Sequence, residues 1–174
     1  MAEDQRNEDF ETPAIEEIPE ITRQHVAFLE TTTDEAAWKA AGMRHLLLIT
    51  RGRRSGREHK VALPYWCDED GSRIVAASYA GGPRNPAWFH NLADREANPR
   101  VRIRDRDEDT VVEAGILDGE EYQRVWDEMT RDRPYYLAYQ KKTERRIPLI
   151  RFPAFGESMP PQRPTDDTGE GVDP

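Results

Sequence analysis

Between residues 44 and 153 the apolar residues fall in short runs, each closed by Gly, Asp or Pro, and this patterning favours short strands over long helices. The runs place strands at His45 to Thr50, Lys60 to Trp66, Arg73 to Tyr79, Arg100 to Asp105 and Thr110 to Gly115, with a last one at Ile147 to Phe152. Asp70-Gly71 lies between the second and third runs and has the composition of a hairpin turn. Arg100 to Asp105 alternates strictly. Val101 and Ile103 share one face and three arginines the other, the pattern of a strand buried on one side.

Helical spacing appears around these strands. Residues 21 to 41 carry Val26, Phe28 and Leu29 and then an Ala-Trp-Ala cluster, which predicts one helix or two, broken near Thr31-Thr32-Thr33 and restarted on Thr33 or Asp34 as N-cap. A further helix spans Pro86 to Glu96. Another starts at Asp118, with Glu121 completing a capping-box pattern and Tyr122, Val125, Trp126 and Met129 at i, i+3, i+4 and i+7. A short one follows from Pro134 to about Lys142. Mainly antiparallel strands with helices gathered to one side or end make an α+β fold, either a small barrel or a strongly curved sheet.

The net charge of −9 is unevenly distributed. Residues 1–20 carry −7 and residues 157–174 carry −4, so the stretch between them is slightly positive. The expected organisation is therefore an acidic disordered arm over 1–20, a helical segment over 21–43, a strand-rich domain over 44–153 and a Pro- and acid-rich tail over 154–174. Cys67 alone permits no internal disulfide and no cysteine metal cage, and the four histidines lack metal-ligand spacing. No apolar run reaches the roughly twenty residues of a spanning helix. The acidic start is unlike a secretory signal, so a cytoplasmic location is expected. The acidic balance argues against nucleic acid as a partner, and no Ser/His/Asp, Cys/His or paired-carboxylate pattern supports hydrolysis.

Three segments could carry chemistry. Thr50-Arg51-Gly52-Arg53-Arg54-Ser55-Gly56-Arg57, with Lys60, sets five cations, two glycines and two hydroxyls directly after a strand, the outline of an anion receptor. A plain basic hairpin turn explains it as well. Ala76-Ala77-Ser78 leads through Gly81-Gly82-Pro83 to Trp88 and Asn91, and small residues there would let a flat ring approach bare backbone. Core packing by Trp88 is the competing explanation, and His90 reads as a structural or surface histidine. Tyr135, Tyr136 and Tyr139 crowd one short helix, either as pocket phenols or as packing.

In this order, the segments resemble the deazaflavin (F420)-dependent nitroreductase family, the Ddn-like split β-barrel reductases of actinobacteria. The resemblance runs from Arg44 to Phe152. It is carried by Leu46-Leu47-Leu48-Ile49-Thr50 with Gly52 and Arg53-Arg54-Ser55-Gly56, by Ile74 to Ser78, by Asn85-Pro86, Trp88-Phe89, Asn91-Leu92 and Asn98-Pro99, and by Tyr139-Gln140, Thr143, Arg145 and Ile147-Pro148. It implies a split β-barrel that holds coenzyme F420, a deazaflavin with a phosphate and a polyglutamate tail, as hydride donor. Arg53, Arg54, Ser55, Gly56 and Lys60 would then meet the phosphate and acidic tail, with Asn91 holding the polar side chain. Ala76, Ala77, Ser78 and Trp88 would border the ring, while Tyr65, Ser78, Tyr136 and Tyr139 would form the substrate pocket.

The chain departs from the family's best-known member at Arg133, a tyrosine there, and at Tyr79, a lysine there. The loop from Gly56 to Lys60 is one residue longer. The expected activity is hydride transfer from reduced F420 to a small hydrophobic quinone, enone or nitroaromatic. The alternatives are an FMN oxidoreductase on the same barrel and a non-catalytic module for F420 or a fatty acid. Peripheral membrane contact, and monomer against homodimer, stay open.

Overall fold

Strand β1 (His45–Arg51) is apolar on both faces because it is covered on both. It pairs antiparallel with β2 (Glu58–Pro64) and with β5 (Val101–Asp105), and β5 continues to β6 (Glu108–Val112), giving a sheet of order β2-β1-β5-β6. A second antiparallel sheet has the order β3-β4-β8-β7, from β3 (Trp66–Cys67), β4 (Arg73–Ala76), β8 (Leu149–Phe152) and β7 (Gly115–Ile116). The computed structural model describes residues 10–154.

The central core lies between the sheets, where Leu46, Leu48, Val101 and Ile103 of the first meet Val75, Ile150 and Phe152 of the second. Side chains alternate along a strand, so Leu47 and Ile49 point the other way. There they meet Val26 and Leu29 of α1 (Ile18–Leu29) and Trp38 of α2 (Glu35–Trp38). On the far side, Ile74 and Leu149 pack under α4 (Gly119–Asp132) through Val125, Trp126 and Met129, and under α5 (Tyr135–Lys141) through Tyr136 and Tyr139. Helices thus cover both outer faces instead of gathering at one side.

Two expected strands are divided, each where the chain passes from one sheet to the other. The run Lys60 to Trp66 breaks at Pro64, which has no N–H to give to a ladder, and Tyr65 N–H turns to the Arg44 carbonyl at 3.0 Å. The run Thr110 to Gly115 likewise splits into β6 and β7. Arg73 to Tyr79 ends as a strand at Ala76.

The expected acidic arm over 1–20 is corrected for its second half. Phe10 packs against Tyr135 with ring centroids 5.2 Å apart and the rings tilted by 45°, Thr12 shares a 2.6 Å hydrogen bond with the Tyr139 phenol, and Ile15 and Ile18 pack on the α4–α5 core. The apolar residues interleaved with the acids give this segment something to bury. Residues 1–9 lie outside the described residues, as does the tail expected over 154–174 apart from Ala154. Asp34 is the N-cap of α2, accepting from Ala36 N–H at 3.0 Å. Asp118 precedes α4 without capping it through its side chain, which instead accepts from Arg146 at 2.8 Å.

Asp68 is almost wholly buried and accepts from Arg124 and Arg151, each at 2.7 Å, tying α4 to β8 beside the Asp70-Gly71 turn. The Arg124 hydrogen bonds hold its carboxyl well below the usual carboxylate range. This pairing is a structural fastening, and none of its three side chains lines the cleft described next.

Candidate active site

A cleft of about 860 Å³ runs along β1 and β2. Thr50, Gly52, Arg53, Arg54 and Lys60 line one end, and Met43, His45 and Pro64 line the other. Six residue steps separate His45 from Arg51, so the ends lie about 20 Å apart. The opposite wall is built by the loop from Ala76 to Pro86, then by α3 (Ala87–Ala93) through Trp88 and Asn91, and by the tyrosines of α5.

The basic end is a rigid turn. Gly52 N–H donates to the Arg57 carbonyl at 2.7 Å and Gly56 N–H to the Gly52 carbonyl at 2.8 Å. A side chain at Gly52 would start 2.5 Å from Ser55 Oγ and 2.7 Å from the His59 ring, so the turn closes this tightly only on glycine. Buried Asn98 fixes the turn's root, accepting from Arg51 N–H at 2.7 Å and donating to the Arg51 carbonyl at 2.8 Å. Asn91 Oδ1 accepts from Arg53 N–H at 3.3 Å. Arg53 and Arg54 are exposed and, among the described residues, form no ion pair. Arg73, Arg102, Arg124, Arg146 and Arg151 each face a carboxylate. Uncompensated guanidinium groups on a preset turn suit a polyanion.

The loop opposite is strained. Tyr79 (φ 45°), Ala80 (φ 51°) and Gly81 (φ 80°) are consecutive left-handed residues, and the two that are not glycine each cost about 1–2 kcal/mol. Ser78, Tyr79 and Ala80 all line the cleft. Arg145 spans the loop's inner side, donating to the carbonyls of Ala77 (3.1 Å), Ser78 (2.8 Å) and Gly82 (3.0 Å) and to Asn85 Oδ1 (2.7 Å).

The far end is aromatic. Tyr136 and Tyr139 meet edge to face with centroids 5.8 Å apart, and Tyr135 donates to Met43 Sδ at 3.0 Å. Burial holds the Tyr135 and Tyr139 phenols above the normal range, so both stay protonated and able to donate. Beside them His45 meets His25 edge to face at 4.7 Å and hydrogen-bonds the Met43 carbonyl through Nδ1 at 2.7 Å. Burial first, then neighbouring His25, depresses His45 to about 4.

For a histidine whose folded value is lowered, the neutral form is favoured by folding. Its stabilisation is full above the unfolded value near 6.5 and lost as pH falls from there toward 4. The loss over that window is roughly 3 kcal/mol. Urea unfolding of the wild-type protein should therefore show stability dropping between pH 6.5 and 4, and His45→Gln should flatten that slope.

Of the residues expected in the site, Arg53, Arg54, Ser55, Lys60, Ala76, Ser78, Trp88, Asn91, Tyr136 and Tyr139 share the one cleft. Three do not. Tyr65 is buried in the central core and donates to Asp105 Oδ2 at 2.6 Å, an acid forty residues away that its local sequence cannot show. Ala77 is fully buried on that same core, its N–H donating to the Pro148 carbonyl. Gly56 (φ 66°) closes the turn outside the cleft wall. Asn91 holds the loop backbone as well as lining the cleft, and Trp88 packs on the core while lining it. Arg133 is 2% exposed, donates to the Tyr65 carbonyl at 2.8 Å and is not part of the cleft wall.

Lys60 is also reassigned. Its ammonium pairs with Glu30, which follows α1, and with Glu58 at 3.4 Å, so its charge is already answered. Lys60→Ala should change anion affinity at the turn by less than about fivefold, since exposed pairs contribute about 1 kcal/mol or less. A titration of variant against wild type measures it.

Residues of the cleft missing from the expectation are His25, His45 and the segment near Phe10, while Thr50 and Gly52 belong to the basic segment singled out above and Asn85 to the motifs of the resemblance. No local spacing marks His25, His45 or Phe10, since the cleft brings them together from separate elements.

Two antiparallel sheets packed on one core, with an elongated basic-to-aromatic cleft beside them, make a split-barrel type of domain. The chain belongs to the F420H(2)-dependent quinone reductase family, whose sequence model matches residues 21–151. It is 32% identical over 135 residues to an F420H(2)-dependent quinone reductase of Mycobacterium tuberculosis, covering 75% of this chain and 88% of that one. Among solved structures, an F420-H2 dependent reductase (FDR-A) is 34% identical with a TM-score of 0.53, covering 62% of this chain and 92% of that one. A domain-swapped dimer is 30% identical with a TM-score of 0.54, covering 75% and 93%.

Proposed function

We propose that this protein oxidises reduced coenzyme F420 and passes the hydride to a small, hydrophobic quinone-class acceptor. The observation that carries the reading is the two-ended cleft, in which the unpaired Arg53–Arg54 turn and the tyrosine-lined pocket share one space about 20 Å long. When bound, F420 supplies the hydride; the residues present fit it. Arg53, Arg54 and the backbone of the turn would hold its phosphate and acidic tail, and small Ala76 and Ser78 leave room for a flat ring against the loop.

The chain's own part is to bind, orient and exclude water. Tyr136 and Tyr139 bound the acceptor pocket, and the Ser78 and tyrosine hydroxyls can donate to an acceptor oxygen as negative charge grows on it. The Phe10–Pro13 segment roofs this end. No helix among the described residues is long and apolar enough to cross a membrane. The dimeric relative supports a homodimer here too, which light scattering tests.

The activity test is anaerobic oxidation of reduced F420 against a panel of quinones, enones and nitroaromatics. Quinone-dependent turnover is expected. Tight F420 binding with no turnover of any acceptor would leave a binding module instead.

A further inference from the structure

We propose that Arg145 is a positioning residue whose guanidinium holds the Ala77–Asn85 turn in its left-handed form and so sets where Ser78 stands relative to Tyr136 and Tyr139 along their shared wall of the cleft. Four of its five N–H groups are spent on this one turn, three on backbone carbonyls on both sides of Tyr79-Ala80-Gly81 and one on Asn85. Among the described residues Arg145 has no carboxylate partner. Its charge is not part of a surface pair, and its donors are arranged for the turn.

The arginine is itself tied to the tyrosine wall. Gln140 of α5 donates to the Arg145 carbonyl at 2.7 Å and accepts from Ile147 N–H at 3.0 Å, bracketing the arginine from the helix that bears Tyr136 and Tyr139. The turn and helix also touch directly, since a side chain at Gly81 would start 2.7 Å from the Tyr139 carbonyl. The chain of contacts therefore runs from α5 through Gln140 and Arg145 to the Ser78 carbonyl. A left-handed pair without glycine persists only where its surroundings over-determine it, and Arg145 supplies that constraint.

The clamp can be read without any cofactor. Ala77, Gly81 and Gly82 each donate a backbone hydrogen bond within or beside the turn, so their amides report its closure. In the ligand-free, full-length protein, hydrogen exchange of residues 77–85 should quicken at least tenfold in Arg145→Gln, while residues 46–49 of β1 stay as protected as in wild type. Arg145→Lys, with fewer donors in no fixed fork, should fall between the two. Should the glutamine variant fail to fold, the lysine variant carries the same comparison. Exchange unchanged at 77–85, or quickened equally in β1, would overturn the proposal.

A kinetic arm rests on the reductase reading. There, kcat should fall at least tenfold in Arg145→Gln while F420 affinity falls several-fold less than kcat, because the anion turn keeps its hold on the phosphate and tail although the loop beside the ring is released. Equal losses in both would overturn positioning. If wild type shows no turnover, the reductase reading fails and the exchange experiment still decides the clamp.

Discussion

Replacing both Arg53 and Arg54 with alanine is expected to weaken F420 binding by about 10²–10⁴-fold. Each guanidinium is exposed and unpaired among the described residues, so little is lost by the free protein when it is removed. A charge-assisted hydrogen bond contributes about 1.5–3 kcal/mol, and two give about 3–6 kcal/mol if they add. At 1.4 kcal/mol per tenfold, that is the stated range. The fold should be untouched, since the turn is held by backbone hydrogen bonds and by Asn98 rather than by these side chains. Wild-type affinity should also fall steeply with added salt, and the double variant should show little salt dependence. Fluorescence titration at two salt concentrations measures both effects; affinity within threefold of wild type would remove the turn from the site.

Gly81→Ala should be the most damaging single change in the acceptor wall. Its backbone is left-handed (φ 80°), which costs a side chain about 1–2 kcal/mol. The new Cβ would also start 2.7 Å from the Tyr139 carbonyl, a backbone atom that moves only if α5 moves. Crowding of this kind costs about 1–3 kcal/mol, for a total of about 2–5 kcal/mol of stability. A shift of α5 by even 1 Å displaces Tyr136 and Tyr139, and misplacement on that scale lowers turnover roughly 10²-fold. F420 affinity should fall several-fold less than turnover, because the anion turn that would hold the tail is rooted on Asn98 and Asn91 and stays in place. Denaturant unfolding and steady-state kinetics read the two expectations. A variant with normal kcat would mean that the turn and helix are not coupled.

The local features were legible in the chain because their causes are local. The strand core of β1, the amphipathic face of α4, the basic glycine turn and the tyrosine cluster each follow from neighbours within a few residues. The tight turn that carries Arg53 and Arg54 could be read as well, since its glycines and charges are adjacent. What stayed hidden depends on partners far along the chain. Lys60 finds Glu30, Tyr65 finds Asp105, and Arg133 turns away from the cleft toward the Tyr65 carbonyl. The divided strands follow from sheet assignment, which alternation cannot reveal: Pro64 marks the crossing only once the two sheets are seen. The segment from Phe10 to Ile18 looked unfoldable by charge, yet its apolar residues are spaced to meet Tyr135 and the α4–α5 core.

The most direct test of the cleft as an F420 site is a side-by-side titration of wild-type protein with F420, with the same deazaflavin lacking its phosphate and glutamate tail, and with FMN. F420 should bind at least a hundredfold more tightly than the tail-less compound, and that margin should vanish in the Arg53→Ala/Arg54→Ala variant. Equal affinity for the two deazaflavins, or FMN bound more tightly than F420, would contradict the assignment.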